Sequence, residues 1–372
     1  MRTTVPMVVF FGGRIGGLRQ MTPSVTVCIP TYNGAAYLAA CLDSVSAQTF
    51  SDVEILVVDD RSSDESTSIA NEHAQQDSRI RVVVNEATLG LVGNWNRCVQ
   101  LSQGEWIKFV FQDDIILPEC LTDMLATAAR TQMLIVSCAR DFIFEPGSSN
   151  EDREFYREHR ALVEAIYSGS TQQSAQQCSE TALRWTGGNF FGEPTALLLR
   201  REVFETYGWF NPRLYNICDF EYCIRIASNT GTVHIPEPLA LFRVHKSSVS
   251  ARYKQAPRLR YHVKVLDPLL IVHDFAFHPL YANLRSVARN LRPPVDLAAE
   301  FWSRALGALW FARQAADALE HPDASLLEEW RQVVKAYPRL SAIPVKARIT
   351  AKWRALKKSL SHLAGGPREA SR

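Results

Sequence analysis

Residues 25–64 read VTVCIPTYNGAAYLAACLDSVSAQTFSDVEILVVDDRSSD. Two apolar runs, 24–30 and 53–60, enclose a segment whose apolar residues recur at helical spacing, and this pattern predicts strand, helix, strand. The second run has no polar alternation before its two terminal acids, so we expect a strand buried on both faces, as in parallel sheets. Polar residues follow each strand directly.

The same alternation continues for two more strands. Residues 64–75 and 91–101 have helical patterns, and residues 80–85 and 106–111 are short apolar strands. Four strand–helix alternations within about 90 residues predict parallel crossover units. We therefore expect an α/β fold with a doubly wound, mostly parallel, Rossmann-like sheet.

Composition excludes several classes of protein. The chain has 372 residues and a formal net charge of +2, so no global positive field predicts a nucleic-acid partner. Its eight cysteines are scattered without a CxxC pair, which is typical of a reducing, cytoplasmic compartment. No apolar run approaches the roughly 20 residues that a membrane-spanning helix needs.

Adjacent carboxylates follow two of the predicted strands, as Asp59–Asp60 and Asp113–Asp114. Ligands of open parallel sheets bind beyond the carboxyl ends of the strands, where these acids would lie. Two such pairs repel each other unless a cation or hydrogen-bond donors compensate. Oxygen ligands of this kind suit Mg²⁺ or Mn²⁺, whose other ligands are usually phosphate and water. For Asn33 and Asp64, capping of a helix is an equally good interpretation.

The chain resembles the family 2 glycosyltransferases, inverting enzymes with a GT-A fold. The resemblance begins with residues 25–64 and continues through NEATLGLVGNWNRCVQLSQGEWIKFVFQDDIILP, residues 85–118. It reappears in GEPTALLLRREVFETYGWFNPRL from Gly192, in DFEYCIRIA from Asp219, and in LFRVHKSSVS from Leu241. The order and spacing of these blocks carry the resemblance, which covers roughly residues 24 to 250.

The resemblance implies a role for individual residues. Tyr32 would lie against the nucleotide base, Asp60 would accept a hydrogen bond from the base imide, and Asp219 would be the catalytic base. Asp114 and His245 would hold a metal ion, with Arg243 and Ser248 assisting. The residues implied in binding the nucleotide or donor sugar are Pro30, Thr31, Tyr32, Asn33, Asp60, Asn94, Asp113 and Glu193.

One departure affects the metal site. Many relatives carry Asp-x-Asp there, but the first acid of that pattern falls on Phe111, which leaves the adjacent pair Asp113–Asp114. The sequence leaves open which of the two contacts the metal, and weak metal dependence is one outcome.

The implied activity is metal-dependent transfer of a hexosyl or deoxyhexosyl group, with Mn²⁺ or Mg²⁺ as cofactor. The donor would be a nucleoside-diphosphate sugar of the UDP or dTDP type, and the acceptor a glycan or lipid-linked hydroxyl in cell-surface polysaccharide synthesis. The alternative is a catalytically inactive module that binds a sugar nucleotide or a glycan. A dehydrogenase is disfavoured, because the early GGRIGG does not have the spacing of a dinucleotide fingerprint.

Three segments are expected along the chain: a leader over residues 1–23, a GT-A domain over 24–250, and a helical region over 251–372. The leader is either non-structural or precedes the true start at Met21. Residues 347–363 are basic and amphipathic, and they are either a solvated terminal helix or a helix resting on anionic lipid at the inner face of the cell membrane.

Three local expectations complete the sequence analysis. Residues 185–189, WTGGN, are either an acceptor-binding loop or an ordinary turn. Glu221 and Arg225 are spaced to form an ion pair on one helix. Trp302 and Trp310 are expected in the core of the helical region.

Overall fold

The computed structural model describes residues 23–184, 189–248, 257–318, 324–341 and 344. The predicted leader, apart from its last residue, and the basic segment 347–363 lie outside the described residues, as do residues 185–188 of the WTGGN loop.

The first half of the fold follows the predicted alternation. Strands β1 (Val25–Thr31), β2 (Val53–Asp59), β3 (Ile80–Val84) and β4 (Trp106–Phe109) pair in parallel in the order β3-β2-β1-β4. The crossovers contain helices α1 (Leu38–Ser46), α2 (Ser66–Gln76) and α3 (Gly90–Leu101). Four parallel strands in this order confirm the doubly wound half of the prediction.

The second half of the sheet is mixed. After β4 the order continues with β8 (Leu197–Arg200), β6 (Ile135–Phe144), β9 (Thr232–Val244) and β5 (Ile115–Ile116), with β8 antiparallel to both of its neighbours and β6 parallel to β9. The elements of this half, in chain order, are β5 (Ile115–Ile116), α4 (Cys120–Thr131), β6 (Ile135–Phe144), α5 (Asn150–Tyr167), β7 (Gln172–Gln173), α6 (Ala175–Arg184), a 3-10 turn (Pro194–Ala196), β8 (Leu197–Arg200), α7 (Glu202–Tyr207), α8 (Cys218–Thr230) and β9 (Thr232–Val244). The whole is an α/β sheet with mostly parallel strands.

A helical region follows the sheet, as predicted. Its helices are α9 (Pro257–Tyr261), a π-helical segment (His262–Leu266), α10 (Asp267–Phe277), α11 (Ala282–Asn290), α12 (Leu297–Ala316) and α13 (Ser325–Ala336), with 3-10 turns at Pro279–Tyr281 and Pro338–Ser341. Its buried side chains belong to the same hydrophobic cluster as those on one face of the sheet. The helical region therefore packs on the sheet through a shared core.

Hydrophobic side chains cover both faces of the sheet. Alternate residues of β2 belong to different clusters: Ile55 and Val57 share a cluster with side chains of α1 and α4, whereas Leu56 and Val58 share one with side chains of α3 and the helical region. All seven residues of β2 are buried. The expectation of a strand buried on both faces is confirmed.

Two expectations about the helices have different outcomes. The predicted ion pair is present, since Arg225 Nε donates to Glu221 Oε1 at 2.9 Å on α8. Trp302 packs against Phe301 at a centroid distance of 4.7 Å, but Trp310 is 61% exposed, so its expected place in the core is wrong. The apolar pattern of α12 is broader than the face that its neighbours cover.

Within the described ranges, no helix has the length and hydrophobicity needed to span a membrane.

Gly104 allows the turn before β4 to pack on β1. A Cβ atom at Gly104 would lie 2.3 Å from the backbone nitrogen of Thr26. Because Thr26 lies in a central strand, its backbone cannot move away to relieve this overlap. We expect Gly104→Ala to lower the free energy of unfolding by about 1–3 kcal/mol or more, as overpacking does. The measurement is urea denaturation of the purified chain.

The matched control is Gly307→Ala on helix α12, where no atom lies within 4 Å of the added Cβ. This substitution is expected to raise the free energy of unfolding by about 0.5–1 kcal/mol, through helix propensity and the entropy of the unfolded chain. Equal effects of the two substitutions would contradict the packing argument.

Candidate active site

The parallel strands bring their polar ends to one edge of the sheet. Thr31 at the end of β1 pairs in register with Asp59 at the end of β2, and Cys28 of β1 pairs with Phe109 of β4. The segments that follow these strands therefore lie side by side. They contain Tyr32 and Asn33 after β1, Asp60 after β2, and Asp113 and Asp114 after β4.

Asp60 is buried beneath this edge and already has several donors. Its carboxylate accepts hydrogen bonds from the backbone N–H groups of Leu89 and Gly90, both at 2.8 Å, and from Asn85 Nδ2 at 2.9 Å. Asn94 Oδ1 accepts a second hydrogen bond from Asn85, and Asn94 Nδ2 donates to the Val58 carbonyl oxygen. Asn94 thus lies behind Asp60 and supports it. A carboxylate has about four acceptor sites, so Asp60 retains room for one more donor.

Tyr32 is held by its backbone while its side chain is 44% exposed. Gln112 accepts from the Tyr32 N–H at 2.8 Å and donates to the Tyr32 carbonyl oxygen at 3.2 Å. Gly34 makes this contact possible, because a Cβ there would lie 2.2 Å from Gln112 Oε1. The result is an exposed aromatic ring on a backbone held by Gln112.

The other residues of the Pro30–Asn33 stretch have local contacts. Pro30 and Thr31 are buried within β1, and the Thr31 hydroxyl lies 3.3 Å from the Ile29 carbonyl oxygen. Asn33 adopts φ 49°, and its Oδ1 accepts from the Ser63 N–H at 2.8 Å. Asn33 therefore joins the loops after β1 and β2, and contact of these three side chains with a donor stays a prediction.

Asp113 and His245 come together from distant parts of the chain. Asp113 Oδ2 lies 2.8 Å from His245 Nε2, and His245 Nδ1 lies 2.8 Å from the Ser247 hydroxyl. The Tyr37 ring packs edge-on against the imidazole at a centroid distance of 4.8 Å. These contacts fix the imidazole ring and direct Nε2 toward the carboxylate.

Asp114 lies deeper than Asp113 and is 1% exposed. Its Oδ2 accepts from the Thr195 hydroxyl at 2.6 Å, and its Oδ1 accepts from the Arg243 N–H at 3.0 Å. Burial raises the pKa of Asp114 well above its usual value, and the neighbouring charge of Asp113 adds to that rise. Both oxygens of Asp114 are thus engaged, whereas Asp113 is the more accessible acid of the pair.

Arg243 of β9 contacts the Asp113–Asp114 pair through its backbone and its side chain. Its Nε donates to the Asp113 carbonyl oxygen at 2.9 Å, and its guanidinium pairs with Glu145 at 2.5 Å. The same group lies over the Tyr37 ring, 4.7 Å from the ring centroid. Strand β9 therefore contributes both its backbone and a fixed positive charge next to the acids.

Asp219 is the second residue of α8 and is also buried. Its Oδ2 accepts from Asn189 Nδ2 at 2.9 Å, and its Oδ1 accepts from the Phe220 N–H at 2.8 Å. Burial raises the pKa of Asp219 to about 7; the Phe220 N–H opposes the rise, and the charge of Glu193 adds to it. A carboxyl group with such a pKa can accept a proton at neutral pH.

Glu193 connects the two groups of acids. Its carboxylate pairs with Arg140, whose Nη2 lies 3.0 Å from Glu193 Oε1. The negative charge of Glu193 acts on both Asp114 and Asp219, raising the pKa of each. Glu193 therefore influences the ionisation of both Asp114 and Asp219, and a joint role of these acids in one site stays a prediction.

The residues present fit a divalent cation with few protein ligands. Asp113 Oδ2 and His245 Nε2 converge, and oxygen and imidazole nitrogen are both ligands that Mn²⁺ accepts. Among the described residues, no cluster of three or more His, Cys, Asp or Glu side chains is arranged to hold a metal. A cation at this place would complete its coordination with phosphate oxygens and water, as Mg²⁺ commonly does.

Sequence reasoning missed three partners of these acids. Thr195, Asn189 and Arg140 contact Asp114, Asp219 and Glu193 respectively, from positions remote in the chain. An arginine near the end of the apolar run of β6 and a threonine directly after Glu193-Pro194 were the available signals. Neither specifies its partner, because the pairing depends on the mixed half of the sheet.

The sequence family described as Glycosyl transferase family 2 matches residues 26–208. The PGL/p-HBAD biosynthesis glycosyltransferase of Mycobacterium bovis is 30% identical over 220 residues, which cover 57% of this chain and 72% of that protein. Across relatives, the matched region spans from half to four fifths of the relative's own length.

Solved structures share the fold at low sequence identity. Staphylococcus aureus TarS residues 1–349 in complex with UDP-GlcNAc aligns with a TM-score of 0.55 and 17% identity, over 87% of this chain and 82% of that one. The mannosyltransferase PcManGT of Pyrobaculum calidifontis, in complex with GDP-Man and Mn²⁺, aligns with a TM-score of 0.52 and 18% identity, over 90% and 88%. These likenesses confirm a GT-A-like fold.

The buried Asp219 carboxylate lowers stability at high pH. Burial raises its pKa from an ordinary value of 3.8 to about 7 in the folded state, so its ionisation costs stability as the pH rises through that range. We expect Asp219→Asn to unfold with a free energy about 2–4 kcal/mol higher than the parent at pH 8, with a smaller difference near pH 5. Urea denaturation at both pH values measures it.

The control for that measurement is Asp43→Asn, because the Asp43 side chain is 75% exposed. Its effect on the free energy of unfolding should be small at both pH values. A pH-independent effect of Asp219→Asn would show that burial of the charge is not the cause.

Proposed function

The chain belongs to glycosyltransferase family 2, and from that premise we propose that it is an inverting enzyme that transfers a hexosyl or deoxyhexosyl group from a nucleoside-diphosphate sugar. The acceptor we propose is a hydroxyl of a glycan or of a lipid-linked sugar, in the synthesis of cell-surface polysaccharide or glycolipid. The observation that carries the proposal is the buried Asp219, whose carboxylate is held by Asn189 and whose pKa is raised by burial to about 7.

Each part of the site has a place in such a reaction. Asp219 accepts the proton of the acceptor hydroxyl as that oxygen bonds to the anomeric carbon, and the bond from this carbon to the diphosphate breaks. Asn189 and the Phe220 N–H hold the carboxylate in position for this step. General-base catalysis of this kind typically contributes about 10²- to 10⁴-fold to the rate.

The nucleotide end of the donor would lie over the sheet edge. The exposed Tyr32 ring offers a stacking face for the base, and Asp60 offers an acceptor for an imide N–H. UDP and dTDP both carry that imide, which supports a donor of this type. The structures of TarS and PcManGT hold UDP-GlcNAc and GDP-Man respectively, and such nucleotide-sugar complexes in the same fold support a donor of this general class.

We place the divalent cation, Mn²⁺ or Mg²⁺, at Asp113 and His245, with Asp114 beneath them. A bound cation neutralises negative charge that develops on the leaving diphosphate. Glu193 and Arg140 would contact the donor sugar between this position and Asp219. Association of the basic 347–363 segment with anionic membrane lipid remains part of the proposal, as does a cytoplasmic location.

Turnover of a nucleotide sugar tests the proposed activity. A panel of UDP-, dTDP- and GDP-sugars with Mn²⁺ is incubated with the enzyme, and release of the nucleoside diphosphate is measured across pH 5–9. We expect one donor to be turned over, with a rate that rises through about pH 7 to a plateau, because Asp219 must lose its proton. Asp219→Asn should reduce turnover at least about 10²-fold and leave nucleotide binding unchanged.

A donor that binds, shown by thermal shift, but is never hydrolysed or transferred would favour the alternative, an inactive sugar-nucleotide-binding module. Full activity of Asp219→Asn would contradict the proposal that Asp219 is the catalytic base.

The cation site has a test that does not depend on turnover. Mn²⁺ binding is followed by electron paramagnetic resonance in the presence of UDP. We expect Asp113→Asn and His245→Gln each to weaken Mn²⁺ binding about 10-fold or more, because each removes one ligand. The control is Asp64→Asn, a carboxylate at the same sheet edge whose oxygens bond to the Ser66 side chain and the Ala35 N–H. Unchanged Mn²⁺ affinity in both ligand variants would contradict the assignment.

A further inference from the structure

Asp267 is fully buried at the start of helix α10, and its carboxylate faces the loop that leads into α8. The Tyr215 N–H lies 3.1 Å from both carboxylate oxygens, and the Asn216 N–H donates to Oδ2 at 2.8 Å. Residues 215–217 directly precede α8, whose second residue is Asp219. A side chain from the helical region thus holds the backbone next to the proposed catalytic base.

Helix α8 has no side-chain cap of its own. Its N-cap residue, Ile217, makes no capping hydrogen bond through its side chain. The Asp267 carboxylate accepts from Tyr215 and Asn216, which precede the N-cap, so it holds the loop that enters α8 and does not cap the helix itself. Hydrogen bonds from backbone N–H groups to a carboxylate are stronger than those between neutral groups.

His262 and Glu329 hold Asp267 in place. His262 Nε2 lies 3.4 Å from Asp267 Oδ1 and 3.0 Å from the Arg213 carbonyl oxygen, and Nδ1 lies 3.0 Å from Glu329 Oε1. Each ring nitrogen faces oxygen atoms, and the imidazole lies between the buried carboxylates of Asp267 and Glu329.

The His262 imidazole is also held by an aromatic ring of the loop that it faces. The Tyr215 ring stacks on the imidazole at a centroid distance of 3.8 Å and an interplanar angle of 6°. His262 also begins the π-helical segment that links α9 to α10, and such segments are frequent at functional sites. Arg258 pairs with Glu329 on the outer side at 2.5 Å.

Asp267 and Asp219 lie close enough to influence a common neighbour. Burial raises the pKa of the Cys218 thiol, and the charges of Asp219 and Asp267 add to that rise. Because residues 215–217 lead directly into α8, displacement of this loop would move the first turn of the helix and the Asp219 carboxylate with it.

We propose that Asp267, supported by His262 and Glu329, is a positioning residue that fixes the start of α8 and thereby the Asp219 carboxylate. This inference rests on the proposed role of Asp219 as the base. It assigns part of the catalytic geometry to the helical region, beyond the residues that match the family.

The test compares two isosteric substitutions on the same helix. Asp267→Asn removes the charge and one acceptor oxygen from the 215–217 loop. The matched control is Asp274→Asn, because Asp274 is also buried on α10 but bonds to His273 Nδ1 at 2.9 Å. Turnover of the nucleotide sugar identified by the donor panel is measured per folded molecule, together with hydrogen–deuterium exchange of residues 215–219.

We expect Asp267→Asn to lower kcat about 10- to 100-fold with KM for the donor nearly unchanged, since small displacements of a catalytic group have effects of this size. The amides of residues 215–217 should exchange faster, and the pH at half-maximal rate should move. Asp274→Asn should leave kcat and the pH profile unchanged. Glu329→Gln should also lower kcat and speed exchange of the 215–217 amides, and it replaces Asp267→Asn as the test if that variant does not fold.

An unchanged kcat and pH profile in folded Asp267→Asn and Glu329→Gln would overturn the inference, as would an equal loss of kcat in Asp274→Asn. A parent enzyme that turns over no nucleotide sugar would instead refute the proposed function, and the inference would fall with it. The two failures are distinguished by the activity of the parent chain.

Discussion

The site depends on the burial of carboxylates whose hydrogen-bond donors come from remote segments. Asp60, Asp114 and Asp219 are each at most 8% exposed, and a buried ionised group without partners is prohibitively costly. The donors that satisfy them lie on α3, in the 3-10 turn before β8, on β9 and at Asn189. Because each carboxylate needs a specific distant donor, the segments of the fold are fixed relative to one another at this edge of the sheet.

The sequence predicts the parallel half of the fold well, because its signals are local. Apolar runs of strand length alternate with helical patterns, and right-handed crossovers then determine the order of β1, β2 and β3. The antiparallel insertion of β8 between β4 and β6 is not predictable in the same way. Its residues, LLLR, have the pattern of any buried strand, and direction depends on packing across the sheet.

In the candidate site, too, the sequence predicts local features but not contacts between distant residues. The acids themselves are visible in the sequence, since charged residues at the ends of buried strands have few structural explanations. Their partners are not visible, because Thr195 is 81 positions from Asp114 and Asp267 is 51 or 52 positions from the backbone that it holds. Trp310 illustrates the opposite error, since a large apolar residue on a helical stripe is not always covered. The helical region also shares a core with the sheet, a relation that its separate sequence pattern does not reveal.

The contact between Gln112 and the backbone at Tyr32 has a consequence for how this chain can diverge. The amide of Gln112 occupies the space where a side chain at position 34 would begin. An alanine at position 34 would push the Gln112 amide out of this place and leave the loop without its two hydrogen bonds. A side chain at position 34 should therefore be accepted more readily in chains whose residue at position 112 no longer makes these hydrogen bonds.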